Sequence, residues 1–178
     1  MIDTDRLFIR DVRPTDADAF FDFMQREDYW RNLPIDPPTR ASMQTLIERR
    51  LSEQTATPRV LYILAAVDKA TDKVVGEAIL RVTNLRHRNG EVGWAVAWHQ
   101  TGKNLGTEIG RAMIRFGFDQ LDLHRISARC RVGNTASQRI MTKLGMQYEG
   151  IAREDVNARD EWWSSSQWSI LRGDSARP

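Results

Sequence analysis

Between Glu91 and Arg131 the chain reads as a strand, an amphipathic helix and a second strand, and no other stretch constrains the fold as much. Glu91 to Ala97 and His124 to Arg131 carry strand patterning. The helix between them, about Leu105 to Gln120, puts Ile109, Ala112, Met113 and Phe116 on one stripe and Glu108, Arg111, Arg115 and Asp119 opposite. Neighbouring strands joined through a helix pair in parallel, by a right-handed crossover, and ligands favour the carboxyl ends of such strands. At that end stands Thr101-Gly102-Lys103-Asn104-Leu105-Gly106-Thr107. Small and left-handed-tolerant residues before a helix N-terminus aim unpaired N–H groups and partial positive charge at a phosphate. The same pattern also serves an ordinary strand-to-helix turn.

The rest of the chain alternates helices and strands without repeats. Leu7 to Arg10 reads as a first strand, and Pro14-Thr15-Asp16 opens a helix with Phe20, Phe23 and Met24 on one face. Tyr29 to Pro38 reads as loop, and Arg40 to Glu53 as a helix with Met43, Leu46, Ile47 and Leu51 inward. Val60 to Val67, Val74 to Val82 and Glu91 to Ala97 read as antiparallel neighbours, with Asn89-Gly90 as the tight turn. Asn134 caps a fourth helix carrying Ala136, Ile140, Met141 and Leu144, which Gly145 closes. Strands at about Gln147 to Arg153 and Glu161 to Leu171 follow. The expected class is α+β: a mixed, mostly antiparallel sheet with helices on both faces, in a single domain over residues 1–178.

Several function classes are disfavoured. Lys plus Arg number 26 against 24 Asp plus Glu, so no global basic footprint marks a nucleic-acid binder. One cysteine, Cys130, excludes an intramolecular disulfide and a Cys-based zinc site, and reads as a small buried hydrophobe. His87, His99 and His124 lack metal-ligand spacing, so no metal is expected. Trp162, Trp163 and Trp168 read as packing residues without an organised basic neighbourhood. The charged N-terminal segment shows neither secretory signal nor membrane span, and the expected compartment is the cytoplasm.

Four segments occur in a telling order: Gly93-Trp94-Ala95-Val96, Gly102 to Glu108, Leu123-His124-Arg125-Ile126, and Asn134-Thr135-Ala136-Ser137 leading to Lys143-Leu144-Gly145-Met146. The chain thereby resembles the GNAT acetyltransferases. Arg6-Leu7 and Trp162-Trp163 resemble the RimJ/RimL-like branch, which acetylates protein N-terminal amines. The resemblance implies acetyl-coenzyme A as co-substrate, its pantetheine arm between two splaying strands and its pyrophosphate at residues 102 to 107. The implied binding set is Val96 and Trp98, then Gly102, Lys103, Asn104, Leu105, Gly106 and Thr107, then Asn134 and Ser137. Two departures stand out: Thr101 replaces the Gln or Arg that opens the family loop, and Asn104 replaces its first glycine. Asn is the best non-glycine occupant of positive φ, although its side chain can crowd the pyrophosphate.

Attack of an amine on a thioester needs a neutral amine, a polarised carbonyl and a stabilised thiolate. A terminal α-amine, with a pKa of about 7.7–8.0, is ~10% neutral near pH 7, whereas Lys, near 10.4, is almost wholly charged. Glu91 is the candidate base, acting through water, in preference to Glu77, because the resemblance places a carboxylate in this region near the acceptor. Glu27 and Asp28 are candidates for attracting a cationic acceptor. Ser137 is the candidate partner of the departing sulfur, because the fourth helix lacks the tyrosine that many members use. Gly106→Val is expected to obstruct the cofactor with the fold intact. The function expected is N-acetylation of a primary amine, the acceptor being a protein or peptide N-terminus and the assembly compatible with a homodimer. A small amine such as an amino acid, polyamine or antibiotic is the second reading, and a non-catalytic acyl-coenzyme A-binding scaffold the third.

Overall fold

A computed structural model describes residues 1–174; residues 175–178, the end of the expected domain, lie outside the described residues. Eight strands form one sheet: β1 (Ile2–Asp3), β2 (Leu7–Asp11), β3 (Leu61–Asp68), β4 (Lys73–Asn84), β5 (Asn89–Val96), β6 (Arg125–Arg131), β7 (Gln147–Ala158) and β8 (Glu161–Leu171). Their order is β1-β2-β3-β4-β5-β6-β8-β7, and β5 with β6 is the parallel pair. The helices are α1 (Ala17–Met24), α2 (Glu27–Trp30), α3 (Arg40–Gln54), α4 (Leu105–Asp119) and α5 (Thr135–Lys143). This is the mixed, mostly antiparallel α+β architecture that the patterning predicts.

Alternation along the strands feeds two cores. Ala78, Leu80, Val92 and Ile126 pack with Ile109, Met113 and Met141 of α4 and α5 on one face. On the other face, Ala65 and Val67 pack with Phe20, Phe23, Met43 and Ile47 of α1 and α3. Residues one apart on a strand therefore serve opposite layers.

The local differences from expectation have physical causes. Asn89-Gly90 is not the turn: both residues already belong to β5, and the reversal spans Leu85 to Arg88, with Arg88 at φ 52 and Asn84 Oδ1 accepting the His87 N–H at 2.8 Å. Gly90 serves packing instead, since a Cβ there would come within 2.6 Å of Leu123 Cδ1. The expected loop from Tyr29 begins inside the single helical turn of α2. Strand β7 runs past Arg153 to Ala158 because bulges between Tyr148 and Gly150 and between Ala152 and Val156 absorb the extra residues. The β7–β8 hairpin turns on Arg159 and Asp160, both at positive φ, the geometry of a two-residue hairpin turn. No described helix is long and apolar enough to cross a membrane.

Candidate active site

The site arises where the parallel pair stops pairing. Strands β5 and β6 are in register at Asn89–Arg125, Gly90–Ile126 and Glu91–Ser127, and no pairing continues to Val96 and Arg131, where both strands end. Two cavities open around this splay. The narrower, about 480 Å³, has Trp94, Val96, Trp98, Asn134, Ser137 and Ile140 in its wall. The wider, about 740 Å³, lies on the α1–α3 face and is lined by Glu77, Glu91 and Gly93, among others. Both walls include Tyr29, Asn32 and Leu33.

At the end of β5, the loop before α4 turns through Gly102 at φ 79 and Asn104 at φ 61. Asn104 thus occupies the left-handed conformation expected of it, and its Oδ1 accepts a bond from Lys143 Nζ at 2.7 Å. The first backbone bond into α4 is Glu108 N–H to Asn104 O, which leaves the N–H groups of Leu105, Gly106 and Thr107 without partners among the described residues. Arg6 braces this turn: its Nη1 donates to Lys103 O at 2.8 Å, and its Nε and backbone N–H donate to Glu108 at 2.7 and 2.9 Å. Burial opposes ionisation of Glu108, but the bonds from Thr4 and Arg6 prevail and hold its carboxyl below the usual range. Glu108 is an anchor between the N-terminal segment and α4, not a group presented to a ligand.

The family profile described as Acetyltransferase (GNAT) domain matches residues 6–147. The chain belongs to the GNAT acetyltransferase family. It is similar to the uncharacterized N-acetyltransferase YnaD of Bacillus subtilis, at 25% identity over 170 residues, 96% of each chain. Its fold is shared with Mycobacterium smegmatis RimJ in complex with CoA-disulfide, at a TM-score of 0.84 and 19% identity, over 96% of this chain and 84% of that one. A spermidine N-acetyltransferase from Vibrio cholerae, in complex with CoA and spermine, matches at a TM-score of 0.83 and 16% identity, over 98% and 100%. This GNAT enzyme takes its acetyl group from acetyl-coenzyme A. Its described residues fit that co-substrate, with three unpartnered N–H donors at a helix N-terminus and a groove along the splay.

The GNAT chain distributes the expected residues unevenly. Val96, Trp98, Asn134 and Ser137 share the narrow cavity, whereas Gly102 to Thr107 lie outside its wall, joined to it through Thr101. The Thr107 hydroxyl is buried and has no hydrogen-bond partner among the described residues. Lys103 Nζ donates to Gln100 Oε1 at 2.8 Å. Gly106 faces α5: a Cβ would stand 2.8 Å from Ile140 Cδ1, so Gly106→Val disturbs the α4–α5 contact and does not test the cofactor alone. Glu91 lines the wide cavity, 3.7 Å from Arg129 and over a third exposed. Glu77 is buried in an ion pair with Arg50, and Tyr29 Oη donates to it at 3.1 Å. Glu27 lines neither cavity, and Asp28 lines the narrow one, 3.8 Å from Arg31; neither stands in the wide cavity to attract a cation. Burial pushes the Cys130 thiol up to about 11, in keeping with a packing role.

The contacts of Trp163 and Arg159 carried no sequence signal. Trp163 lies buried beneath Arg131 and Arg159, at 4.2 and 4.8 Å, so it has the basic neighbourhood that the sequence hides. Arg159 also donates to the carbonyls of Leu33 and Ile35, clasping the loop that roofs both cavities. Arg159→Gly relaxes the positive φ of the hairpin while removing the clasp, so the fold should persist and acceptor KM should rise roughly tenfold, the worth of one charged hydrogen bond. An unchanged KM removes this role. Asn134 Oδ1 accepts the Ser137 N–H at 3.2 Å, confirming the cap. Asn134→Ala should cost roughly 0.5–2 kcal/mol in a denaturant melt, with weaker acetyl-coenzyme A binding by calorimetry.

Proposed function

We propose that residues 1–178 form one acetyltransferase domain acetylating the N-terminal α-amine of a protein or peptide. The observation that carries this reading is the pair of cavities meeting behind Tyr29, Asn32 and Leu33, one holding Ser137 and the other Glu91. The pyrophosphate lies against residues 102 to 107, chiefly on the backbone donors of Leu105, Gly106 and Thr107. Lys143, tied to Asn104, adds charge there. The pantetheine arm runs past Val96 and Trp98 to Asn134. The thioester then sits at the splay, with the amine arriving from the wide cavity.

The amine nitrogen attacks the thioester carbonyl, and the N–C bond forms as the C–S bond breaks. Glu91, through water, takes the proton that the amine sheds. The Ser137 hydroxyl donates a hydrogen bond to the departing thiolate, a more credible task for serine than full proton transfer. An α-amine suits a modest base, being ~10% neutral near pH 7. The relatives leave the acceptor open, since one shared fold belongs to a RimJ and another to a spermidine N-acetyltransferase. A cytoplasmic homodimer completes the reading, and sedimentation tests the assembly.

Thiol release with a panel of peptides and small amines tests the acceptor, and turnover confined to small amines overturns the peptide assignment. Ser137→Ala should lower kcat about tenfold with acceptor KM little changed, because sulfur gains charge chiefly in the transition state. Wild-type kcat would assign the thiolate to water or backbone donors.

A further inference from the structure

Arginines outnumber acids in the lining of the wide cavity. Arg49, Arg50, Arg81, Arg129 and Arg131 line it, against Asp36, Glu77 and Glu91. Four of these arginines are engaged by carboxylates: Arg131 by Glu161 at 2.6 Å, Arg129 by Glu91 and Asp155 at 3.7 Å each, Arg49 by Glu53 at 4.0 Å, and Arg50 by Glu77. Arg50 and Arg81 keep unused donors. Arg50 is 5% exposed and bonds Glu77 through Nη2, while its Nε and Nη1 have no partner among the described residues. The Arg81 side chain has neither ion pair nor hydrogen bond among the described residues.

The place of Arg81 matters most. It is the register partner of Glu91 across β4 and β5, so both side chains leave the same face of the sheet. Directly opposed residues of an antiparallel pair stand about 4.5–5.5 Å apart at Cα. An acceptor whose ammonium turns to Glu91 thus has an unneutralised guanidinium beside it. A polyamine would bring only further positive charge to this wall, whereas a carboxylate matches the planar fork of arginine.

We propose that the acceptor carries a carboxylate within a few bonds of its reacting amine, received by Arg81; this rests on the acetyl-transfer reading above. Two sources have this chemistry: the α-carboxylate of a free amino acid, and the side chain of an Asp or Glu that begins a peptide. In either, the amine and the carboxylate bridge the Glu91–Arg81 pair. Arg50, paired with Glu77, offers the unpartnered Nε and Nη1 in the wall of the same cavity.

Matched acceptors test this, by calorimetry on the full chain loaded with coenzyme A and by thiol release from acetyl-coenzyme A. Free aspartate is set against asparagine amide, a peptide beginning with Asp against one beginning with Asn, and spermidine against all four. At least one acid should exceed its neutral twin roughly tenfold in affinity and in kcat/KM, the worth of one charge-assisted contact, and the pair that shows it identifies the source. Added salt should shrink that ratio, because Arg81 is exposed. Arg81→Gln should collapse the ratio, and Arg81→Lys should keep part of it. Equal twins, spermidine as the best acceptor, or a ratio that survives Arg81→Gln overturns the proposal. Thiol release without selectivity overturns this proposal and leaves the transfer reading intact; selective binding without thiol release from any amine overturns the transfer reading and leaves the carboxylate receptor standing.

Discussion

Replacing Glu91 by Gln should lower kcat/KM for an accepted peptide by roughly a hundredfold at about pH 6, and by progressively less as pH rises past about 8. The carboxylate acts on a proton that the acceptor loses by itself above its own pKa, so the penalty is largest where neutral amine is scarce. Glutamine keeps the length and polarity of the side chain at the Arg129 contact, and Arg129 retains Asp155 at 3.7 Å, so the local structure should hold. A pH–rate series on wild type and variant checks this. A variant that matches wild type at every pH moves the base elsewhere or dispenses with it.

Arg50→Met should be the most destabilising of the substitutions considered, at about 3–5 kcal/mol, because it strands a buried carboxylate. Arg50 and Glu77 have side chains only 4% and 2% exposed, and Tyr29 with the Phe20 ring completes their enclosure. Burial raises the Glu77 carboxyl above its usual range even with Arg50 and Tyr29 opposing it. A raised carboxyl contributes most to stability below its unfolded pKa, about 4.3, and that contribution is lost as pH rises through the folded value. Losing Arg50 raises the folded value further, so the deficit in Tm should be widest at and above neutrality and should narrow towards about pH 4. Replacing Arg50 and Glu77 together by apolar residues should recover much of the stability. A deficit equal at every pH would show that lost packing, and not the stranded charge, is the cause.

The pair also explains why Glu77 and Glu91, on one face of the sheet and in one cavity, fall to different roles. Glu77 is neutralised by a buried arginine, while Glu91 stands at the last paired position before the splay, open to solvent. Local patterning does not separate them, each being an acid in a strand run; only the resemblance favoured Glu91, and the physical difference lies in the Arg50 that α3 brings across the sheet. The left-handed Asn104, the Asn134 cap and the β5–α4–β6 crossover were legible because each depends on residues close in sequence. The Asn89-Gly90 turn misled because the chemistry that permits a turn also permits close packing, and Leu123, far along the chain, decided between them.

The sequence by itself determined the order and type of the longer elements, the left-handed turn that starts α4, and the family. Local periodicity and backbone preference act over a few residues, and the chain carries them wherever it goes. Tertiary structure alone decided which arginine is buried and which is free, that Arg159 closes the loop from 124 residues beyond its Ile35 contact, and that Lys143 meets Asn104. Those relations depend on desolvation and charge pairing between segments that only the folded sheet brings together.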